Sequence, residues 1–509
     1  MAEEKPPLKL LVEPDEYLCT WLLPGPNGGE SEHAGALDLP ANRPPTGSVY
    51  GNIPIQWNET ATGQRSAGFP QEVQLPRLRA RLANGHDVDL IDASITYWLP
   101  EHGRISAGTA IVGAPDGLRG CGTKTASEVQ DEEQAANQSV VPTYSRVSAQ
   151  VGALDAVAGA APFSGWTFPK GGEGRHLEGD WTVSGNPDSS QKWSDDDVTV
   201  RLEYDAAIGI GNAYAFRFVV SPVVRIESRK ALTVRDWVDR WIVPLRRIVS
   251  IATGDAQPLT YLAVDASGVD RSRAHKRRQV YGSGITQEPY QSDHAAVRKS
   301  STAVHIAVDG LSLLDMLRRW QGLEDDHHPL IETYGAMLSA TDEHPRSRFL
   351  LLVQALEGLH GHETAAAYEE RRNHHTEERK TLIEAIQDAG ILNSQQLKFV
   401  KKNLTKNPPR GLNEALHHLL GELPVDLTPR LAACKLLRNY LTEAQGPEAQ
   451  RVAYALSRVR NDLAHGNKGF DAYDLHETVR VLERIVRAHA LRLLGCPEPV
   501  LERVCNLDQ

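Results

Sequence analysis

No stretch of the 509 residues approaches the roughly 20 consecutive apolar positions that a membrane-spanning helix needs. The first seven residues lack the positive-then-apolar pattern of a secretory leader, so a cytoplasmic location without membrane partners is expected. Cysteine is scarce, and Cys19, Cys121, Cys434, Cys496 and Cys505 are odd in number and mostly far apart. No paired CxxC is present, which excludes the common zinc-site spacings and leaves reduced thiols. An excess of basic charge is also missing: 55 Lys and Arg face 66 Asp and Glu, a net charge of −11. That excludes a surface built throughout for nucleic acid. A local basic cleft is still allowed, because salt screens phosphate attraction beyond about 10 Å. What is present, 40% hydrophobic and 24% charged residues, is the composition of an ordinary folded protein, and the length calls for two or three domains.

The first 300 or so residues read mostly as β-structure. Val198 to Tyr204 alternates apolar and polar residues, as a half-buried strand requires, and Tyr214, Phe216, Phe218 and Val220 repeat that period. Ile91 to Leu99, Val49 to Trp57 and Arg104 to Val112 are further strands, separated by Gly, Pro and Asn punctuation. Together they predict an antiparallel sandwich or barrel-like sheet. Gly122 to Gln138 and Gly185 to Asp197 read as loops. One helix is clear there: Thr233 caps it, Asp236 takes the capping-box position, and Trp237, Trp241, Leu245 and Ile248 form its apolar stripe.

Helical periodicity takes over near Leu311, so the fold class expected is multidomain α+β with an all-α C-terminal bundle. The boundaries are 1–310 for the β-rich region, 311–344 for a helical connector, 345–495 for the bundle and 496–509 for a tail. Ser347 to Leu359, Ala365 to Ala389, Leu431 to Leu441, Glu448 to His465 and Ala472 to Leu494 are its main helices.

One motif in the bundle carries chemistry: Arg460-Asn461-Asp462-Leu463-Ala464-His465, with Gly466-Asn467 supplying the left-handed residues that end a helix. Asn461 and His465, four apart, share one helix face, while Arg460 lies about 140° around the axis from His465. These residue types suit RNA cleavage without a metal, because RNA brings its own 2′-hydroxyl nucleophile. Histidine serves as general acid or base near neutral pH, and the negative end of a helix dipole suits its cationic form. Arginine presents a fork of donors to phosphate oxygens whose charge grows in the transition state. Asn461 can orient the imidazole or bond the phosphate, and Asp462 reads as a solvated or capping carboxylate.

Arg-x4-His with Asn after the Arg, closing a helix that precedes one long last helix, resembles the HEPN superfamily. Arg348-Phe349 through Ala355-Leu356-Glu357-Gly358-Leu359-His360 is similar to the first helix of the HEPN subgroup in ApeA-like anti-phage proteins. A β-rich region of about three hundred residues before it is also the layout of those proteins. The resemblance implies a dimer whose paired helices form one RNA-cleaving cleft, with tRNA or other cellular RNA as substrate. It further implies an abortive-infection role in which the N-terminal region senses a phage product. Arg460 and His465 carry over as catalytic residues, Asn461 as the polar residue after Arg, and Glu357 as the acidic residue of the first helix. Asn467 stands where one toxin branch has tyrosine, so regulation through that tyrosine does not carry over.

Other features have plainer readings. His327-His328, His360-x-His362 and His374-His375 lack the i,i+4 spacing of a helical zinc site and read as surface histidines, so neither metal nor cofactor is expected. Gly209-x-Gly211 lacks the third glycine of a dinucleotide loop and reads as an ordinary loop. Arg271, Arg273, Lys276, Arg277 and Arg278 are dense enough to attract RNA phosphate, against the plain reading of a solvated face. The apolar positions Leu475, Val479, Leu482, Val486 and Leu493 offer a stripe for dimerisation or for packing within the bundle. Two alternatives to a ribonuclease sensor-effector stay open. One is a catalytically silent HEPN module that binds RNA and dimerises; the other is a nuclease whose N-terminal region itself holds nucleic acid.

Overall fold

The computed structural model describes residues 7–24, 30–53, 58–59, 65–99, 101–113, 140–167, 170–171, 177–178, 182–212, 215–265, 277–339, 343–408 and 411–506. It divides into two compact units, residues 1–253 with 257–317, and residues 254–256 with 318–509.

The first unit is built on one antiparallel sheet of twelve strands. In chain order these are β1 (Asp15–Pro24), β2 (Glu30–Leu39), β3 (Thr46–Tyr50), β4 (Gln71–Leu82), β5 (Asp87–Leu99) and β6 (His102–Gly113). They continue with β7 (Thr143–Val151), β8 (Gln191–Ser194), β9 (Val198–Asn212), β10 (Ala215–Thr233), β11 (Leu259–Asp265) and β12 (Arg277–Gly282). The spatial order is β8-β9-β10-β7-β11-β12-β6-β3-β2-β1-β4-β5, and β5 also pairs with β6. That last pairing closes six strands into a barrel, which leaves none of those six as a free sheet edge. One edge of β6 serves two neighbours in succession: His102 to Ser106 pairs with β3 and Thr109 to Val112 with β12. The barrel thereby continues into the open half of the sheet.

Inward alternation fills the barrel. Cys19, Trp21 and Leu23 of β1 meet Leu37 and Leu39 of β2 and Leu78, Ala80 and Leu82 of β4. The fully buried Trp21 indole donates to the Ser48 carbonyl (2.8 Å). Its ring lies over Gly35 and Gly47, where an added Cβ would fall 2.2 and 2.8 Å from ring atoms, so only glycine admits it.

Helix α1 (234–253) has the expected capping box between Thr233 and Asp236, and Trp237, Trp241, Leu245 and Ile248 are its buried stripe. Three expectations need correction. Gly185 to Asp197 is not all loop: Gln191–Ser194 pairs with β9 at the sheet edge, a strand too short to show a period. Gly209 and Gly211 lie within β9 rather than in a loop. The strand expected from Val49 to Trp57 ends at Tyr50, and residues 54–57 lie outside the described residues, as does 122–138.

Helices occupy residues 294–506, mainly as α2 (Leu313–Asp325), α3 (Pro329–Ser339), α4 (Pro345–Glu363), α5 (Ala365–Asp388), α6 (Ser394–Asn403) and α7 (Leu412–Gly421). Then come α8 (Arg438–Glu443), α9 (Glu448–His465), α10 (Ala472–Leu493) and α11 (Glu498–Asn506). Leu431 to Leu441 is not one helix: it breaks at Cys434, which adopts an extended backbone. Helix α4 is central, burying Phe349, Leu352, Val353, Ala355, Leu356 and Leu359 against α3, α7, α9 and α10. Leu475, Val479, Leu482 and Val486 of α10 are all buried inside this unit. The apolar stripe that offered a dimer face is therefore used within the bundle.

Among the described residues no helix is long and apolar enough to cross a membrane. Cys19, Cys434, Cys496 and Cys505 form no disulfide.

Candidate active site

Helix α9 runs to His465, where Gly466 takes a left-handed backbone (φ +67°) that favours glycine. The amide of Gly466 donates to the Leu463 carbonyl (3.3 Å) and that of Asn467 to the Asp462 carbonyl (3.0 Å), a Schellman-type end. Asn467 itself is not left-handed, so Gly466 alone makes the turn. Val452, Leu456, Val459 and Leu463 bury one face of α9 and fix the polar residues on the other.

Two distant residues brace the motif. Arg346, in the first turn of α4, donates to the Leu463 carbonyl (2.6 Å), which thereby accepts a second hydrogen bond beside that of the Gly466 amide. Tyr440 of α8 donates its hydroxyl to Asp462 (2.6 Å), which corrects the reading of Asp462 as a solvated carboxylate. The Tyr440 phenol is pushed up to about 12, by burial first and by that bond second, so it remains a donor at neutral pH.

The candidate catalytic groups face different surroundings. Arg460 donates to Glu357 (3.1 Å) and to the side chain of its neighbour Asn461 (3.2 Å). Arg460 and Glu357 both line a cavity of about 710 Å³ bounded by α4, α5 and α7. Their side chains are 32% and 37% exposed, so this ion pair is worth about 0–1 kcal/mol after solvent screening. His465 is exposed at the end of α9, its side chain makes no hydrogen bond or ion pair among the described residues, and it does not line that cavity. Arg460, Asn461 and Glu357 are thus brought together, while His465, on the Asn461 face of α9, is not among the residues that line the Arg460 cavity.

His360 and His362, which read as surface histidines, line the same cavity as Arg460. The His360 ring lies 5.4 Å from that of His418, and burial, then the His418 charge, lowers its pKa. His328 is buried outright, 4.5 Å ring to ring from His362, and neither nitrogen has a hydrogen-bond partner among the described residues. Burial first and the His362 charge second hold it below the usual imidazole range. The i,i+3 spacing of Glu357 and His360 is the only sequence signal that could have placed His360 there. Arg346, Tyr440 and His328 gave none, since their partners lie far away in the chain. Among the described residues no three His, Cys, Asp or Glu side chains are grouped to hold a metal ion.

Of the basic cluster, Arg271, Arg273 and Lys276 lie outside the described residues. Arg277 donates to Asp205 (3.2 Å) and Arg278 to Asp89 (3.0 Å), so both are already paired on the sheet.

No curated protein and no solved structure matches the chain significantly. Residues 350–499, which span α4 to the start of α11, match the profile of the family described as Apea-like HEPN, and the helical unit that carries Arg460 and His465 therefore contains an HEPN domain of that type.

Proposed function

We propose that this chain is an anti-phage effector whose HEPN domain is a metal-independent endoribonuclease. In this reading the RNA 2′-oxygen gives up its proton to a base and attacks the adjacent phosphorus. The bond to the 5′-oxygen breaks, and that oxygen takes a proton from His465, leaving a 2′,3′-cyclic phosphate and a 5′-hydroxyl. Arg460 neutralises the phosphoryl oxygens as their charge grows, with Asn461 beside it. Glu357 holds Arg460 in the resting site, and a pair so exposed yields readily to a phosphate.

One observation carries the composite form of the site: Arg460 lines a cavity, and His465 is not among its lining residues. A two-fold partner can supply the missing group, so the active unit is a dimer with the His465 end of one α9 facing the Arg460 of the other. Mixing purified Arg460→Ala with His465→Ala tests this, because a mixed dimer regains one intact Arg–His pair only if the pair spans protomers. Recovered cleavage is expected; none, or cleavage by a strictly monomeric wild type, would overturn the shared site.

The sheet unit is assigned to sensing, with a phage protein as trigger. Exposed Trp98 and Leu99, 68% and 63% accessible at a hairpin end of the barrel, support a protein contact there. Expressing wild type and His465→Ala with and without phage, and sequencing RNA ends, reads substrate and trigger together. Cleavage that ignores infection would remove the sensing role. The Arg460–Glu357 pair also favours a second reading, an HEPN module that binds RNA and dimerises without cutting. That reading predicts RNA binding with unchanged RNA ends.

A further inference from the structure

Helices α5 and α6 differ from the rest of their unit. Of the 24 residues of α5 only Ile383 is buried, and α6 buries none. Arg379 ties the two together, donating to the carbonyls of Lys401 (2.7 Å) and Leu404 (3.3 Å). Tyr368, in the first turn of α5, donates to the Pro408 carbonyl (3.3 Å) and closes the hairpin at its root. An arm that buries so little gains little from its own packing.

Its charge is segregated. From Gly390 to Pro408 the chain carries Lys398, Lys401, Lys402 and Lys406 with no Asp or Glu, within a protein of net charge −11. All four lysines are exposed, and none is ion-paired among the described residues. Lys398, Lys401 and Lys402 stand at i, i+3 and i+4, so they crowd one face of α6, where like charges weaken a helix. Phe399, 68% exposed, sits three residues before Lys402, and Ile391 before the helix is 82% exposed. A polyanion removes the repulsion, and an aromatic ring among lysines offers a stacking platform to a base. A protein partner fits less well, since interface cores are depleted of lysine. The arm also starts at the candidate active site, because Tyr368 and Arg371 line the same cavity as Arg460 and Glu357.

We infer that the α5–α6 arm is the RNA-docking element of this site, with its lysines on backbone phosphates and Phe399 stacked on an unpaired base. The ligand class is single-stranded or looped RNA, whose bases are free to stack. The inference rests on the ribonuclease reading for the identity of its ligand.

The test measures binding apart from cleavage, using the full chain with His465→Ala and a fluorescent oligouridine, by anisotropy over a salt series. Replacing Lys398, Lys401 and Lys402 with Gln is expected to weaken binding at least about tenfold and to flatten the log–log salt slope by about 2. Phe399→Ala is expected to weaken it roughly tenfold with the slope unchanged. The triple Lys→Arg variant keeps the charge and is expected to keep the slope. Unchanged affinity and slope in the Gln variant, or no RNA binding by the parent chain, would overturn the docking element. So would a loss traced by sedimentation to dissociation of a dimer, which would give the surface to a second copy. Arm-dependent binding by a wild type that cuts no RNA would sink the ribonuclease reading and leave the docking element standing.

Discussion

In the sheet unit Asp89, only 5% exposed, lies between Arg77 (2.6 Å) and Arg278 (3.0 Å), and Arg225 is paired with both Glu203 and Asp205. In the helical unit Arg460 meets one carboxylate that is over a third exposed, and among the described residues the lysines of α6 meet none. Charges compensated across neighbouring strands hold the sheet together and are spent as ligand sites; a charge paired only at an exposed helix end, or carried on a barely buried arm, yields more readily to a phosphate. A basic side chain is the same signal in either unit, and its partners separate the two cases.

The largest expected effect breaks function without breaking structure. Arg460→Ala and His465→Ala should each lower RNA cleavage by about 100- to 10,000-fold, as loss of a proton-transfer or charge-stabilising group does. Thermal unfolding should barely move, since His465 is exposed and the Arg460 pair is worth about 0–1 kcal/mol. Full activity in either purified variant would remove the residue from the site.

Second comes a buried group of the helical unit. His489 of α10 is 1% exposed, its Nε2 lies 3.1 Å from the Leu419 carbonyl, and burial, then the Arg492 charge, lowers its pKa to about 4. The unfolded chain, near pH 6.5, binds the proton more readily, so stability falls as pH drops from about 6.5 to about 4 and is flat above. The full loss is roughly 3 kcal/mol. His489→Gln should flatten that part of the urea-midpoint profile; parallel profiles would contradict the assignment.

A sharper test of the compensated sheet is Asp89→Asn, which leaves Arg77 and Arg278 facing a neutral amide. The expected cost is about 2 kcal/mol, below that of a fully buried pair because the arginines keep 20% and 33% of their side-chain exposure. An unchanged denaturation midpoint would show that the pairing is incidental. The smallest effect belongs to Glu357→Gln, which should change stability by under about 1 kcal/mol and leave cleavage within several-fold. A collapse of cleavage comparable to His465→Ala would give Glu357 a direct part in the reaction.

Helix α9 was legible to its last residue because its apolar spacing and Gly466 are local signals. The strand Asp15–Pro24 was not, since Leu18 and Leu22 face away from Cys19, Trp21 and Leu23 and so erase the alternation. Its partner Glu30–Leu39 uses Gly35 under Trp21 where a hydrophobic residue would have announced a strand. At the site, residue types and spacing pointed to Arg460 and His465. The Arg346 brace on Leu463 and the Tyr440 bond to Asp462 depend on packing between remote segments, which no local pattern encodes. The stripe on α10 illustrates the same limit from the other side: apolar periodicity shows that a face is buried, not against what.

We propose that His465 and Arg460 of the HEPN domain cut RNA through its own 2′-hydroxyl. Purified full-length chain is incubated with RNA in EDTA, alongside His465→Ala, and the new ends are identified chemically. The expected result is fragments ending in 2′,3′-cyclic phosphate, followed by fragments that begin with 5′-hydroxyl, from the wild type alone. Cleavage that requires added magnesium, or ends bearing 5′-phosphate, would contradict it.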